Sequence, residues 1–186
     1  MNYRPEIDGL RALAVVAVIL FHMNFNLFQG GFLGVDLFFV ISGYLITNLI
    51  LNELKFNDFS LVGFYERRAR RILPALLVVL LATYAFSWFF MLPDAHRAIG
   101  QYVVGSLTFS SNLLFYIQNK NYFKLGEEEN PLLHTWSLAV EEQYYILFPL
   151  LLLLLWPNRR ILLVVLVTIG MASILTANWL LAQQAL

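Results

Sequence analysis

Residues 72–92 read ILPALLVVLLATYAFSWFFML, a run of 21 positions without one charged side chain. A helix rises 1.5 Å per residue, so about 20 such residues match the hydrocarbon core of a bilayer. Three further runs reach that length, at residues 10–28, 138–156 and 161–181. A fourth, 35–51, is shorter but strongly apolar, with Asp36 at its entry. Composition agrees, since 60% of the 186 residues are apolar and only 13% are charged, against about 45–50% and 25% in a soluble domain. A soluble protein could not cover itself with so little polar surface. The expected fold is therefore an all-α, polytopic transmembrane helix bundle of about five spanning helices. Segment 102–117 is weaker, because Ser106, Thr108, Ser110, Ser111 and Asn112 interrupt it. It reads as a re-entrant segment, buried in protein or lining a wet cavity.

Orientation follows from Lys and Arg in the short loops. Arg4 and Arg11 flank the first run, and Glu66-Arg67-Arg68-Ala69-Arg70-Arg71 precedes the third. Arg159 and Arg160 separate the last two. With all three basic clusters in the cytoplasm, residues 93–137 begin and end outside, and 102–117 dips in and returns. The rival topology makes 102–117 a sixth full span and leaves Arg159 and Arg160 outside. The first run has the positive start of a signal peptide but no small-residue cleavage site, and it reads as a retained helix. Net charge is zero, so nothing directs the chain to nucleic acid. The absence of cysteine excludes disulfides and thiolate chemistry. Three scattered histidines suggest no metal cage, and no metal is called for.

Ionisable groups inside apolar segments are expensive and become functional candidates. His22 follows Arg11 by eleven residues, close to three helical turns, which puts both on one face about 16 Å apart. The spacing suits a basic anchor at one level and a general base at another; the alternative is a snorkelling Arg and a helix-packing His. In His134-Thr135-Trp136-Ser137-Leu138-Ala139-Val140-Glu141-Glu142, two adjacent carboxylates cannot face one direction, so at least one turns into the bundle. The alternative is acids that favour a helix N-terminus. Arg67 to Arg71 serve either as a membrane-surface anchor or as guanidinium forks for phosphate. Ser42 has no activating neighbour in sequence and reads as a helix-packing residue. His96, beside Asp94 and Arg97, reads as a solvated loop residue.

Taken together and in order, these motifs resemble the acyltransferase-3 family of membrane-bound O-acyltransferases. Tyr3-Arg4-Pro5-Glu6-Ile7-Asp8-Gly9-Leu10-Arg11-Ala12 with His22 is similar to its first helix, including an R-x10-H pattern. Gly34-Val35-Asp36-Leu37-Phe38-Phe39-Val40-Ile41-Ser42-Gly43-Tyr44-Leu45 resembles the second. Arg68 and Arg71, followed by Ile72-Leu73-Pro74, match an R-x-x-R element, and Trp136-Ser137-Leu138 with Glu141 and Tyr145 match a fourth. The opening looks closest to the O-antigen and peptidoglycan O-acetylase group. Members of that family usually have about ten spans, so the resemblance implies that residues 1–186 correspond to the N-terminal half of the acyltransferase domain and need further C-terminal helices.

The resemblance implies transfer of an acyl group, usually acetyl, from acyl-CoA to a hydroxyl of a surface or exported carbohydrate, at the bacterial cytoplasmic (inner) membrane. No cofactor is implied beyond acyl-CoA as co-substrate. Arg11, Arg68 and Arg71 would engage the CoA phosphates, and His22 would act as general base, with Glu141 orienting it or stabilising its imidazolium. Direct transfer and a covalent acyl-histidine both fit. Two other function classes are open: a transporter or flippase component with an intramembrane His/Arg/Glu path, and an inactive truncated remnant.

Overall fold

The computed structural model describes residues 4–23, 25–118 and 130–184. They form seven α-helices and one 3-10 turn, with no strand among the described residues. The helices are α1 (Pro5–His22), α2 (Leu33–Lys55), α3 (Leu61–Phe90), α4 (Pro93–Leu107), α5 (Ser111–Gln118), α6 (Thr135–Leu155) and α7 (Arg159–Gln184). The chain divides into two units, residues 1–145 and 146–186. Helices α2, α3, α6 and α7 are long and apolar enough to cross a membrane.

Local sequence explains where the helices begin and end. Pro5 occupies the first turn of α1, where its missing N–H costs nothing, and Glu6 and Asp8 face the positive end of the helix dipole. Those acids and Arg11 leave α1 with fewer apolar residues than a full span needs. The apolar run continues to Phe28, but α1 stops at His22, and residues 26–28 form the 3-10 turn. His22 therefore ends its helix instead of lying within it. Ser60 caps α3 by accepting the Gly63 N–H at 3.2 Å. Pro74 lies inside α3 and has no N–H to offer the carbonyl of Arg70.

Small residues set the α1–α2 approach. A Cβ on Gly34 would stand 2.5 Å from the Ala14 carbonyl oxygen and 2.8 Å from Val18 Cγ2. One on Gly31 would lie 2.8 Å from Phe21 Cβ. Backbone thus meets backbone, as between small-residue faces of membrane helices.

Helix α4 folds back along α3, and Leu76, Leu80, Ile99 and Leu132 make the core between them, with Tyr102, Val103 and Leu138 against it. His96 is a half-buried residue of α4, not a solvated loop residue. Its Nδ1 is 2.8 Å from the Ser87 hydroxyl, and its ring lies 4.7 Å from that of Tyr84 and 5.1 Å from that of Trp88. It fastens α4 to α3. The segment 102–117 is two helices broken at residues 108–110, where Phe109 has φ 51°. Neither α4, with 15 residues, nor α5, with 8, matches the length of a full span.

In the second unit, α7 exposes apolar side chains along most of its length. Arg159 lies over the Trp156 ring at 4.9 Å at its start.

Candidate functional site

The arginine run divides by helical geometry. Arg67 donates to both carboxylate oxygens of Glu53 at 2.9 and 3.1 Å, and Arg70 to Glu66 at 2.8 and 3.0 Å. Arg68 and Arg71 are also three apart and share a different strip of α3. Among the described residues, no carboxylate lies within ion-pair distance of either. Arg68 turns inward, its guanidinium carbon 5.0 Å from the Tyr145 ring centroid and 5.8 Å from that of Phe64. A planar guanidinium on an aromatic face gains about 0.5–2 kcal/mol, more as water is excluded. Arg71 stays exposed.

Three helices build the surroundings of Arg68. Tyr145, buried, donates its hydroxyl to Glu141 Oε1 one turn earlier on α6. Ser42 of α2, also buried, lies beside the same phenol. Glu142 is 7% exposed, and its Oε1 finds no hydrogen-bond donor among the described residues. Both carboxylates and Arg71 lie within electrostatic range of Arg68. The result is a half-buried cation beside a buried acceptor, neither with a hydrogen-bond partner among the described residues.

The second group is a pair of histidines. His22 Nδ1 is 2.8 Å from the Val18 carbonyl oxygen. A carbonyl only accepts, so Nδ1 carries the proton, and in the neutral ring Nε2 is the free base. His134, directly before α6, lies within electrostatic range of His22. Its pKa is lowered from 6.5, first because surrounding protein displaces water; a hydrogen bond to the Pro131 backbone opposes the shift, and the nearness of His22 adds to it.

The two groups are spaced alike along two helices. Arg11 precedes His22 by eleven residues, and Tyr145, under Arg68, follows His134 by eleven. Counted along α1 or along α6, a cation thus lies about 16 Å from the histidines. Arg11 pairs loosely with Asp8 at 4.0 Å.

Hydroxyls and amides of 102–117 hold the first turns of α6 in place. Ser106 donates to Thr135 Oγ1 at 2.9 Å, Thr135 to the Leu132 carbonyl at 2.7 Å, and Ser111 to the Thr135 carbonyl at 2.9 Å. Gln143 exchanges amide hydrogen bonds with Asn112 at 2.9 and 3.2 Å and donates to the Phe109 carbonyl at 2.8 Å. The polar residues that weaken this segment as a span are its contacts to α6.

Of the residues singled out in sequence, Arg68 and Glu141 come together through Tyr145, with Arg71 in electrostatic range. His22 ends α1, and Arg11 lies in its second turn. The hydrogen bond of Glu141 leads to Tyr145, whereas His22 bonds to Val18 and packs against the Phe21 ring, with His134 within electrostatic range. Sequence reasoning passed over Glu142, the more buried of the two acids; the adjacency of two carboxylates was its only signal. It also read Ser42 as packing alone, although it lies beside Tyr145.

The acyltransferase domain family matches residues 4–185. The chain is 43% identical over 176 residues to the peptidoglycan O-acetyltransferase OatA of Listeria monocytogenes, covering 92% of this chain and 28% of that protein. It is 42% identical over 152 residues to the O-acetyltransferase OatA of Staphylococcus aureus, covering 81% and 25%. With a putative peptidoglycan O-acetyltransferase of Bacillus subtilis it shares 43% identity over 153 residues, covering 81% and 24%. The chain thus spans about a quarter of the length of these curated relatives. No solved structure matches it.

Proposed function

Because the chain belongs to the acyltransferase-3 family, we propose that it forms the donor-binding and proton-transfer part of a bacterial inner-membrane O-acetyltransferase acting on a cell-wall or exported carbohydrate. The relatives named for peptidoglycan O-acetylation support the acceptor class. The hydrogen bond between His22 Nδ1 and the Val18 carbonyl is the observation that carries the mechanism. Acyl transfer from a thioester needs a base at the attacking hydroxyl, and the Val18 carbonyl presets the tautomer that supplies one.

In this mechanism acyl-CoA enters from the cytoplasmic side. Arg68 and Arg71 take its phosphates through unpaired guanidinium N–H groups, and Arg11 lies at the matching distance on α1. The 16 Å or so from this level to the histidines suits an extended pantetheine arm, which brings the thioester to His22. His22 Nε2 takes the proton as the carbohydrate hydroxyl oxygen bonds to the thioester carbonyl carbon. The carbon–sulfur bond then breaks, and the leaving thiolate takes the proton back from the imidazolium. Glu141 serves the donor end, holding the Tyr145 ring on which Arg68 lies. Segment 102–117 is re-entrant in this scheme and supports α6.

The test uses the complete protein, with transfer to carbohydrate and acyl-CoA binding measured side by side. His22→Gln and His22→Asn are expected to insert and bind acyl-CoA as the wild type does, while transfer falls about 10²–10⁴-fold, the usual loss for a missing general base. An amide replaces a packing imidazole adequately but takes up no proton. Near-normal transfer by either variant would remove His22 from the mechanism.

A further inference from the structure

Glu142 has no task in the mechanism above, yet it is the buried acid whose Oε1 lacks a donor among the described residues. Leaving a buried acceptor unpaired costs about 1–3 kcal/mol, more when it is charged. Such an atom is retained where something outside the chain pairs with it. Its position limits what that is. Glu142 precedes Tyr145 by three residues, so along α6 it stands about 4.5 Å from the Arg68 level toward His134. A phosphate there would meet a carboxylate and be repelled. A neutral hydrogen-bond donor would be drawn in, flanked by the Arg68 guanidinium and the Tyr145 ring.

Resting on the acyl-CoA reading, we infer that Glu142 Oε1 accepts a hydrogen bond from the pantetheine arm, at the hydroxyl or first amide N–H that follows the diphosphate. Arg68 and Glu142 then act as a sorting pair. The guanidinium holds the anionic end of the donor, and the carboxylate holds the first neutral donor group beyond it. This fixes how far the arm extends toward His22, so the thioester stops at the imidazole.

The experiment compares coenzyme A with its nucleotide bisphosphate fragment, which lacks the arm, by titration calorimetry on the complete protein in detergent. Glu142→Leu is expected to weaken coenzyme A about tenfold or more, the worth of one hydrogen bond to a charged group, and to leave the fragment unchanged. Glu142→Gln keeps the size and a weaker acceptor, so a smaller loss of the same selectivity is expected; it decides the matter if Glu142→Leu does not insert. Unchanged coenzyme A affinity in the variants would overturn the inference and leave the donor reading intact. Equal weakening of both ligands would also overturn it, because Glu142 would then act only by positioning Arg68. A wild-type protein that binds neither ligand would overturn the donor reading itself and this inference with it.

Discussion

Thr135 and Thr176 are the same residue type in two apolar helices, and their hydroxyls are used differently. Thr135, at the start of α6, accepts from Ser106 of α4, and its own carbonyl accepts from Ser111 of α5. Thr176, in α7, returns its hydroxyl to the Ala172 carbonyl at 2.8 Å. Thr168 and Asn178 do the same toward Val164 and Ile174. In the first unit, polar side chains bridge elements and specify their placement. In α7 the hydroxyls of Thr168 and Thr176 and the amide of Asn178 bond to the backbone of their own helix. Glycines divide the same way: Gly34 meets the backbone of α1, whereas a Cβ on Gly170 of α7 meets nothing within 4 Å. In the first unit these side chains fix positions between elements, whereas the polar groups of α7 bond within it.

The largest expected effect exploits the glycines. Gly34→Val places a branched carbon against the Ala14 carbonyl and Val18, so α1 must move away from α2. Overpacking typically costs about 1–3 kcal/mol, occasionally more, and here the displaced helix carries Arg11 and His22. A markedly lowered unfolding temperature in detergent and loss of transfer in the complete protein are expected. Gly170→Val is expected to leave both nearly unchanged. Equal damage by the two substitutions would erase the contrast between the units.

A smaller difference is expected for the threonines. Thr135→Val removes two hydroxyl bonds, including the one from Ser106 that ties α4 to α6. Polar contacts in membrane proteins are individually modest, about 0.6–2 kcal/mol. A stability loss in that range, with no more than about 0.5 kcal/mol for Thr176→Val, is expected by denaturant titration in mixed micelles. If Thr176→Val proves the costlier change, α7 has a polar partner, and its self-satisfied pattern has been misread.

The helical class was legible because apolar length and sparse charge leave a chain few other folds. The run 10–28 misled at its end, since apolar composition continues past His22 while the backbone turns into residues 26–28 to let Gly31 and Gly34 approach α1. The choice of Arg68 and Arg71 rested on motif resemblance. Geometry gives it a reason, because Arg67 and Arg70 have carboxylates of their own. Glu142 and the pairing of His22 with His134 depend on how α1, α3 and α6 meet. No periodicity within one helix encodes that, so the candidate residues were legible in the sequence and their neighbours were not.

The smallest effect expected is a pH dependence located at the start of α6. His134 has its pKa lowered in the folded chain, by loss of surrounding water and by the nearness of His22. The fold therefore disfavours its charged form. Above about pH 6.5, the ordinary histidine value, the group is neutral folded or unfolded, and the stability it permits is fully present. As pH falls from there toward the lowered folded value, the unfolded chain binds the proton first, and stability declines with it. His134 keeps part of its surface open, so solvent screens the effect and the decline is shallow. The expected observation is a small drop in unfolding temperature between pH 7.5 and pH 5.5 that His134→Asn reduces, while His134→Asn at pH 7.5 behaves much as the parent does. A drop of the same size in His134→Asn would assign the dependence to another group and leave His134 a spacer ahead of α6.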